Sequence, residues 1–207
     1  MIRIDPPRFD EPQRLLSSLP NEDEVENIIL EGADLQHEDL HSREFRGCIF
    51  RRCNLSGADL RRAGFVDVIF DHCDLSSARL ENAVTFRCVF DTCRLTGADM
   101  IHTLLRQTRL KDCKADYLNL AHAKTDHALF EDSNLQETAF ESVTLRHAAF
   151  DGCDLTRSTI HMTPLKGVDL RTCTLTALRV DVYDLRGLVV NPLQAAELAQ
   201  LLGLVVK

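Results

Sequence analysis

CNLSGADLRRAGFVDVIFDHCDLSSARL, residues 53–80, opens twice on the same phrase: Cys53-Asn54-Leu55-Ser56 and, 20 residues later, Cys73-Asp74-Leu75-Ser76. A large apolar residue returns at every fifth position, at Leu55, Leu60, Phe65, Phe70, Leu75 and Leu80. A small or apolar one stands two places before, at Ala58, Ala63, Val68 and Ala78. Outward from this stretch the count holds without an insertion. Every multiple of five from Leu30 to Val190 is Leu, Phe, Ile, Val or Met, except Thr85, Ala115 and Thr125. An amphipathic helix repeats every 3.6 residues and a strand every two, so neither explains a period of five. A short period sustained this long specifies a solenoid whose turns stack on one another.

The second period, of twenty, says how. Sorted by twenty, the central residues fall into columns such as Leu35, Leu55, Leu75, Leu95 and Phe50, Phe70, Phe90. A residue type that recurs every twenty stacks on itself, coil over coil, at the spacing of about 4.8 Å between neighbouring strands. Seven glycines (32, 47, 57, 97, 152, 167 and 187) lie two after a central residue, where a four-sided coil needs corners.

The phrases CNLSGADL, CDLSSARL, CRLTGADM and CDLTRSTI resemble the pentapeptide-repeat family. Its unit reads A(D/N)LXX, with Cys, Ser, Thr or Val tolerated in the Ala slot. The resemblance runs from roughly Glu31 to Val190 and implies a right-handed quadrilateral β-helix. The expected fold is an all-β solenoid of about eight 20-residue coils, with an irregular N-terminal cap and a short C-terminal α-helix.

Three segments are expected: 1–27 as the N-terminal cap, 28–191 as the β-helix, and 192–207 as a helix and tail that cap the rod or dimerise it. The first segment holds four of the six prolines and the acidic run NEDEVEN, and EPQRLLSSL within it reads as a short helix. In the last, Pro192 suits a helix start and Gly203 a helix end. Leu193, Leu198, Leu201 and Leu202, with Val205 beyond the cap, form the expected homodimer contact. DLRGLVVNPLQAAELAQLLGLVV also resembles the end of the quinolone-resistance members of the family, which implies dimerisation by this helix.

With no apolar run near 18 residues and no basic-then-apolar N-terminal signal, the chain reads as cytoplasmic, without a membrane contact. All eight cysteines (48, 53, 73, 88, 93, 113, 153 and 173) fall in the inward small-residue slot. They read as reduced packing residues rather than zinc ligands or disulfides. His102 with His122, and His127 with His147, should stack on the outside, but the repeat fixes no third ligand beside them. The interior is filled, and no phosphate loop appears, so no enzyme, cofactor or metal is expected.

What remains is surface. One face is mildly basic through Arg46, Arg87, Arg106, Lys124, Arg146, Lys166 and Arg186, and the other three are mildly acidic. The net charge of −8 argues against direct nucleic-acid binding. Ile49, Val66, Ile69, Val84, Phe86, Val89, Leu104 and Leu129 are outward apolar positions, to be covered by residues 1–27 or by a partner protein. The expected function is a non-catalytic protein-interaction scaffold. The resemblance implies an alternative: a DNA-mimic rod that binds DNA gyrase or topoisomerase IV and protects it from quinolones.

Overall fold

The computed structural model describes residues 2–9 and 14–206. The chain winds into a parallel β-solenoid of about eight turns. Its strands pair in parallel with a register of twenty: Phe45 with Phe65, and Phe50 with Phe70, which in turn pairs with Phe90. The Phe rings therefore stack along the axis, with centroids 5.3 Å apart for Phe45–Phe65 and 4.8 Å for Phe70–Phe90. The multiples of five and the small slots two places before them form one continuous buried core, from Val25 to Leu178.

The four sides are not equivalent. Two are β-strands, which merge in the middle of the rod into eight-residue strands: Val84–Asp91, Leu104–Lys111, Lys124–Glu131 and Thr144–Asp151. The other two are held mostly by single bridges such as Asp34–Asn54–Asp74 and Asp39–Asp59–Arg79. The residue before the central one decides which kind of side forms. On the bridged sides it is mostly Asp or Asn, whose side chain accepts the amide two residues on, as Asn54 does from Ser56 and Asp74 from Ser76. That local turn competes with an extended ladder. On the strand sides the position is filled by residues such as Ile49, Ile69, Val84 and Val89, which favour the pleat.

The corners are left-handed. Among the described residues, twenty-four non-glycine residues, all at positions ending in 2 or 7, have φ between 46° and 62°. Each such residue costs about 1 kcal/mol or more in isolation. The offset is an amide donated to the next coil, as from His37 to Ser56 (3.0 Å) or Ser77 to Thr96 (2.9 Å).

A side-chain bond missed by the sequence reading recurs inside. The small-slot residue donates to the carbonyl 23 positions earlier: Cys53 Sγ to Leu30, Cys73 Sγ to Phe50, Ser158 Oγ to Leu135 and Thr163 Oγ1 to Phe140. Cys, Ser and Thr share this slot because each is small and carries a donor. All eight cysteines are buried and unbridged. Burial pushes the thiols of Cys48 and Cys113 up to about 11 and that of Cys88 up to about 12.

The helix expected within EPQRLLSSL does not form over its described part. Arg14–Leu16 is a strand paired in parallel with Ile28–Leu30, an offset of 14 rather than twenty. Leu16 packs on the core while Leu15 stays exposed, the alternation of a strand laid on an existing sheet edge. Residues 11–13 lie outside the described residues. At the other end, helix α1 spans Pro192–Ala199 and continues as one 3-10 turn, Gln200–Leu202. Asn191 and Gln194 form a capping box, and Gly203 closes the turn at φ 74°.

Candidate interaction surfaces

Residues 2–9 run along one corner of the rod. The Arg8 amide donates to Asp67 Oδ1 (2.8 Å) and the Asp5 amide to Gln107 Oε1 (2.9 Å). Asp67 and Gln107 occupy the same corner two coils apart, about 10 Å, which is what three extended residues span. The segment is thus an extended strap running toward the C-terminal coils. Its leading residues Ile2 and Ile4 border a groove of about 840 Å³ that Leu129, Ala149, Phe150, Arg109, Glu131 and Arg171 also line. Arg87 secures the strap's anchor by gripping Asp67 with Nε and Nη2 at 2.6 and 2.5 Å.

The outward apolar residues do not form one open stripe. Ile49, Ile69 and Val89 pair in one ladder that continues through Arg109 to Leu129 and Ala149. Val66 and Phe86 lie across the corner, in a ladder that continues to Arg106. Val84 and Leu104 form a third. Seven of the eight expected contact residues are half-buried, and only Val84 is exposed. Phe86 is covered by guanidinium groups, with Arg87 Cζ 4.1 Å and Arg106 Cζ 5.7 Å from its ring centre.

Several outward charges are paired. Asp59 receives Arg61 (2.6 Å) and Arg79 (2.7 Å), Asp74 receives Arg94, and Asp169 receives Arg171. The Arg61 guanidinium, with Arg79 beside it, holds the Asp59 carboxyl down to about 2 against the opposing effect of burial. The stacks expected outside are present, His102 on His122 at 4.8 Å and His127 on His147 at 4.3 Å. A carboxylate that the five-count did not point to, Asp126, lies against the second pair.

Helix α1 has two roles on two faces. Gln194 is buried, and its Nε2 donates to the carbonyls of Leu170 and Cys173, both at 2.7 Å. The bridged ladder beside them ends at Asp169–Val189, and the chain then enters the helix, which closes the rod over these carbonyls. Leu198 packs against the core on the same side. Leu193 is 79% exposed and Val205 82%, with Leu204 also exposed, while Leu201, one turn on from Leu198 and partly exposed, borders a groove with Leu175 and Leu178. The side chain of Leu202 lies outside the described residues.

Among the described residues no helix is long and apolar enough to cross a membrane. A search of the curated proteins found no match. Solved structures similar to this chain include a trypsin-treated variant of QnrB1, described as a plasmid-mediated fluoroquinolone resistance protein. It is 24% identical, with 89% of this chain and 91% of that chain covered and a TM-score of 0.37. Another is HetL, described as involved in heterocyst differentiation regulation in the cyanobacterium Nostoc sp. strain PCC 7120. It is 20% identical, with 81% and 89% covered and a TM-score of 0.36. The model of the pentapeptide repeat region matches residues 83–160, and that of pentapeptide repeats in eight copies matches residues 28–65 and 44–76. With these matches laid over the coils described above, the chain belongs to the pentapeptide-repeat family.

Proposed function

We propose that this protein is a non-catalytic interaction rod that pairs with a second copy through its C-terminal end and offers its long faces to a protein partner. One observation carries the reading. Of the twelve exposed large apolar residues among the described residues, eight (Val182, Tyr183, Val189, Leu193, Leu201, Leu204, Val205 and Val206) fall in the last turn and the tail. An apolar end of this kind marks a contact site. A two-fold contact would let each patch meet its own copy and place the rods end to end. The expected result is a dimer by light scattering at tens of micromolar. Leu193→Asp with Val205→Asp should give a monomer with an unchanged circular dichroism spectrum. A monomeric wild type would overturn the dimer.

The DNA-mimic alternative draws support from the net charge of −8 and from the length that pairing would give the rod. The Asp–Arg pairs on the outward faces weaken the phosphate-like array it needs, so it stands second. Gyrase supercoiling assayed with the protein, with and without a fluoroquinolone, separates the two readings. Inhibition or drug protection supports mimicry, and no effect at tens of micromolar protein removes it.

A further inference from the structure

His127 and His147 take the same left-handed corner in successive coils, with φ of 62° and 48°. Their side chains therefore leave the backbone side by side. Asp126 precedes the first of them and pairs in the ladder with Arg146. Its Oδ1 lies 3.1 Å from His127 Nδ1 and 3.2 Å from His147 Nδ1. Among the described residues this is the one group of three His, Cys, Asp or Glu whose ligand atoms all lie within 4.8 Å of one another. Other imidazole–carboxylate contacts, His72 with Asp71 and His161 with Asp181, have two members only.

We propose that Asp126, His127 and His147 bind a divalent transition-metal ion of the zinc type. A tetrahedral ion with bonds of about 2.0–2.1 Å holds its ligand atoms about 3.3 Å apart. Both nitrogen–oxygen separations in the group are already close to that edge length. Two imidazoles and one carboxylate suit Zn²⁺, Co²⁺, Ni²⁺ or Cu²⁺, whereas Ca²⁺ and Mg²⁺ prefer oxygen alone. The side chains of Asp126, His127 and His147 are 31%, 36% and 49% exposed, so an ion can enter from solvent. Three protein ligands leave a fourth position for water or for a donor from a partner. The backbone around them is fixed by the ladder from Lys124–Glu131 to Thr144–Asp151, so little ordering is lost on binding. The competing cation is Arg146, whose Nε lies 3.6 Å from Asp126 Oδ1, but its side chain is 68% exposed and can turn outward.

The test is titration of the whole protein with Zn²⁺ by calorimetry and with Co²⁺ by visible absorption, at mildly alkaline pH where imidazole ligates. One equivalent should bind, with the intense visible bands of a four-coordinate cobalt site. His147→Ala should weaken binding at least about tenfold, and Asp126→Asn should do the same, since even the loss of an outer partner costs that much. Ala177 already adopts this corner conformation (φ 54°), so alanine fits the backbone at His147. Arg146→Ala should tighten binding. Three results would overturn the site: no saturable binding, undiminished binding in the His127→Ala, His147→Ala double variant with its fold intact, or a near-ultraviolet thiolate–cobalt band showing that the cysteines hold the ion.

Discussion

The hydroxyls of Thr85 and Thr108 meet 2.7 Å apart inside the core. Thr85 is one of the few central positions where the five-count meets a polar residue, and Thr108 stands in the small slot of the next coil. Thr108 also donates toward the carbonyl of Arg106, and Thr85 reaches that of Leu104, so neither hydroxyl is orphaned. Thr85→Val should cost about 1 kcal/mol, Thr108→Val a similar amount, and the double variant less than their sum. Urea unfolding of the four proteins measures the coupling. Full additivity would show that the bond contributes nothing.

The slot bond to the carbonyl 23 residues earlier predicts an order at Cys73. Cys73→Ser should be close to wild type or modestly destabilised, Cys73→Ala should cost about 1 kcal/mol, and Cys73→Asp should prevent soluble folding. Thermal melts of the soluble variants check the order. A stable aspartate variant would contradict the inward placement.

Native protein should react slowly with a thiol reagent, because all eight cysteines are buried and burial raises thiols such as that of Cys88. After denaturation all eight should titrate. Rapid reaction of several thiols in the native state would show that coils open readily.

The periods of five and twenty encode the coil, its columns and the inward cysteines, because each rests on one side chain meeting its own kind in the next turn. The strand Arg14–Leu16 was hidden, since its offset of 14 belongs to neither period and Leu15-Leu16 suits a helix equally well. Asp126 was hidden for another reason. A single carboxylate has no column, and only the left-handed corner brings two imidazoles onto it. Leu198 read as an outward apolar residue like Leu193, but whether a helix turns a residue toward its own rod depends on the angle at which the helix leaves the last coil.

Asp59 predicts an acid dependence. Its folded value, about 2, lies below the unfolded value of about 3.9, so the stability it contributes is complete above about pH 4 and is lost as pH falls through 2. Its partners Arg61 and Arg79 are 43% and 48% exposed, so screening holds the contribution to about 1 kcal/mol. Asp59→Asn should show that deficit at pH 7 in urea unfolding, and the gap should close toward pH 2. A deficit independent of pH would place its origin in packing.

Gln194 closes two buried carbonyls at once, so Gln194→Ala should lower stability by about 1–3 kcal/mol without changing the oligomeric state. Thermal unfolding and light scattering on the same sample separate the two effects. Loss of association with unchanged stability would assign Gln194 to the contact between copies.

The twenty-residue register has an evolutionary consequence. Within the rod a side can neither gain nor lose a residue without breaking the match to the sides above and below. Heritable changes of length are therefore restricted to whole turns, or to loops extruded at a corner. Only at the first turn, where Arg14 meets Ile28, does the count relax to 14, because nothing among the described residues stacks outside it. Homologues of different length should differ in steps of about twenty along the body, and drift freely only at the ends.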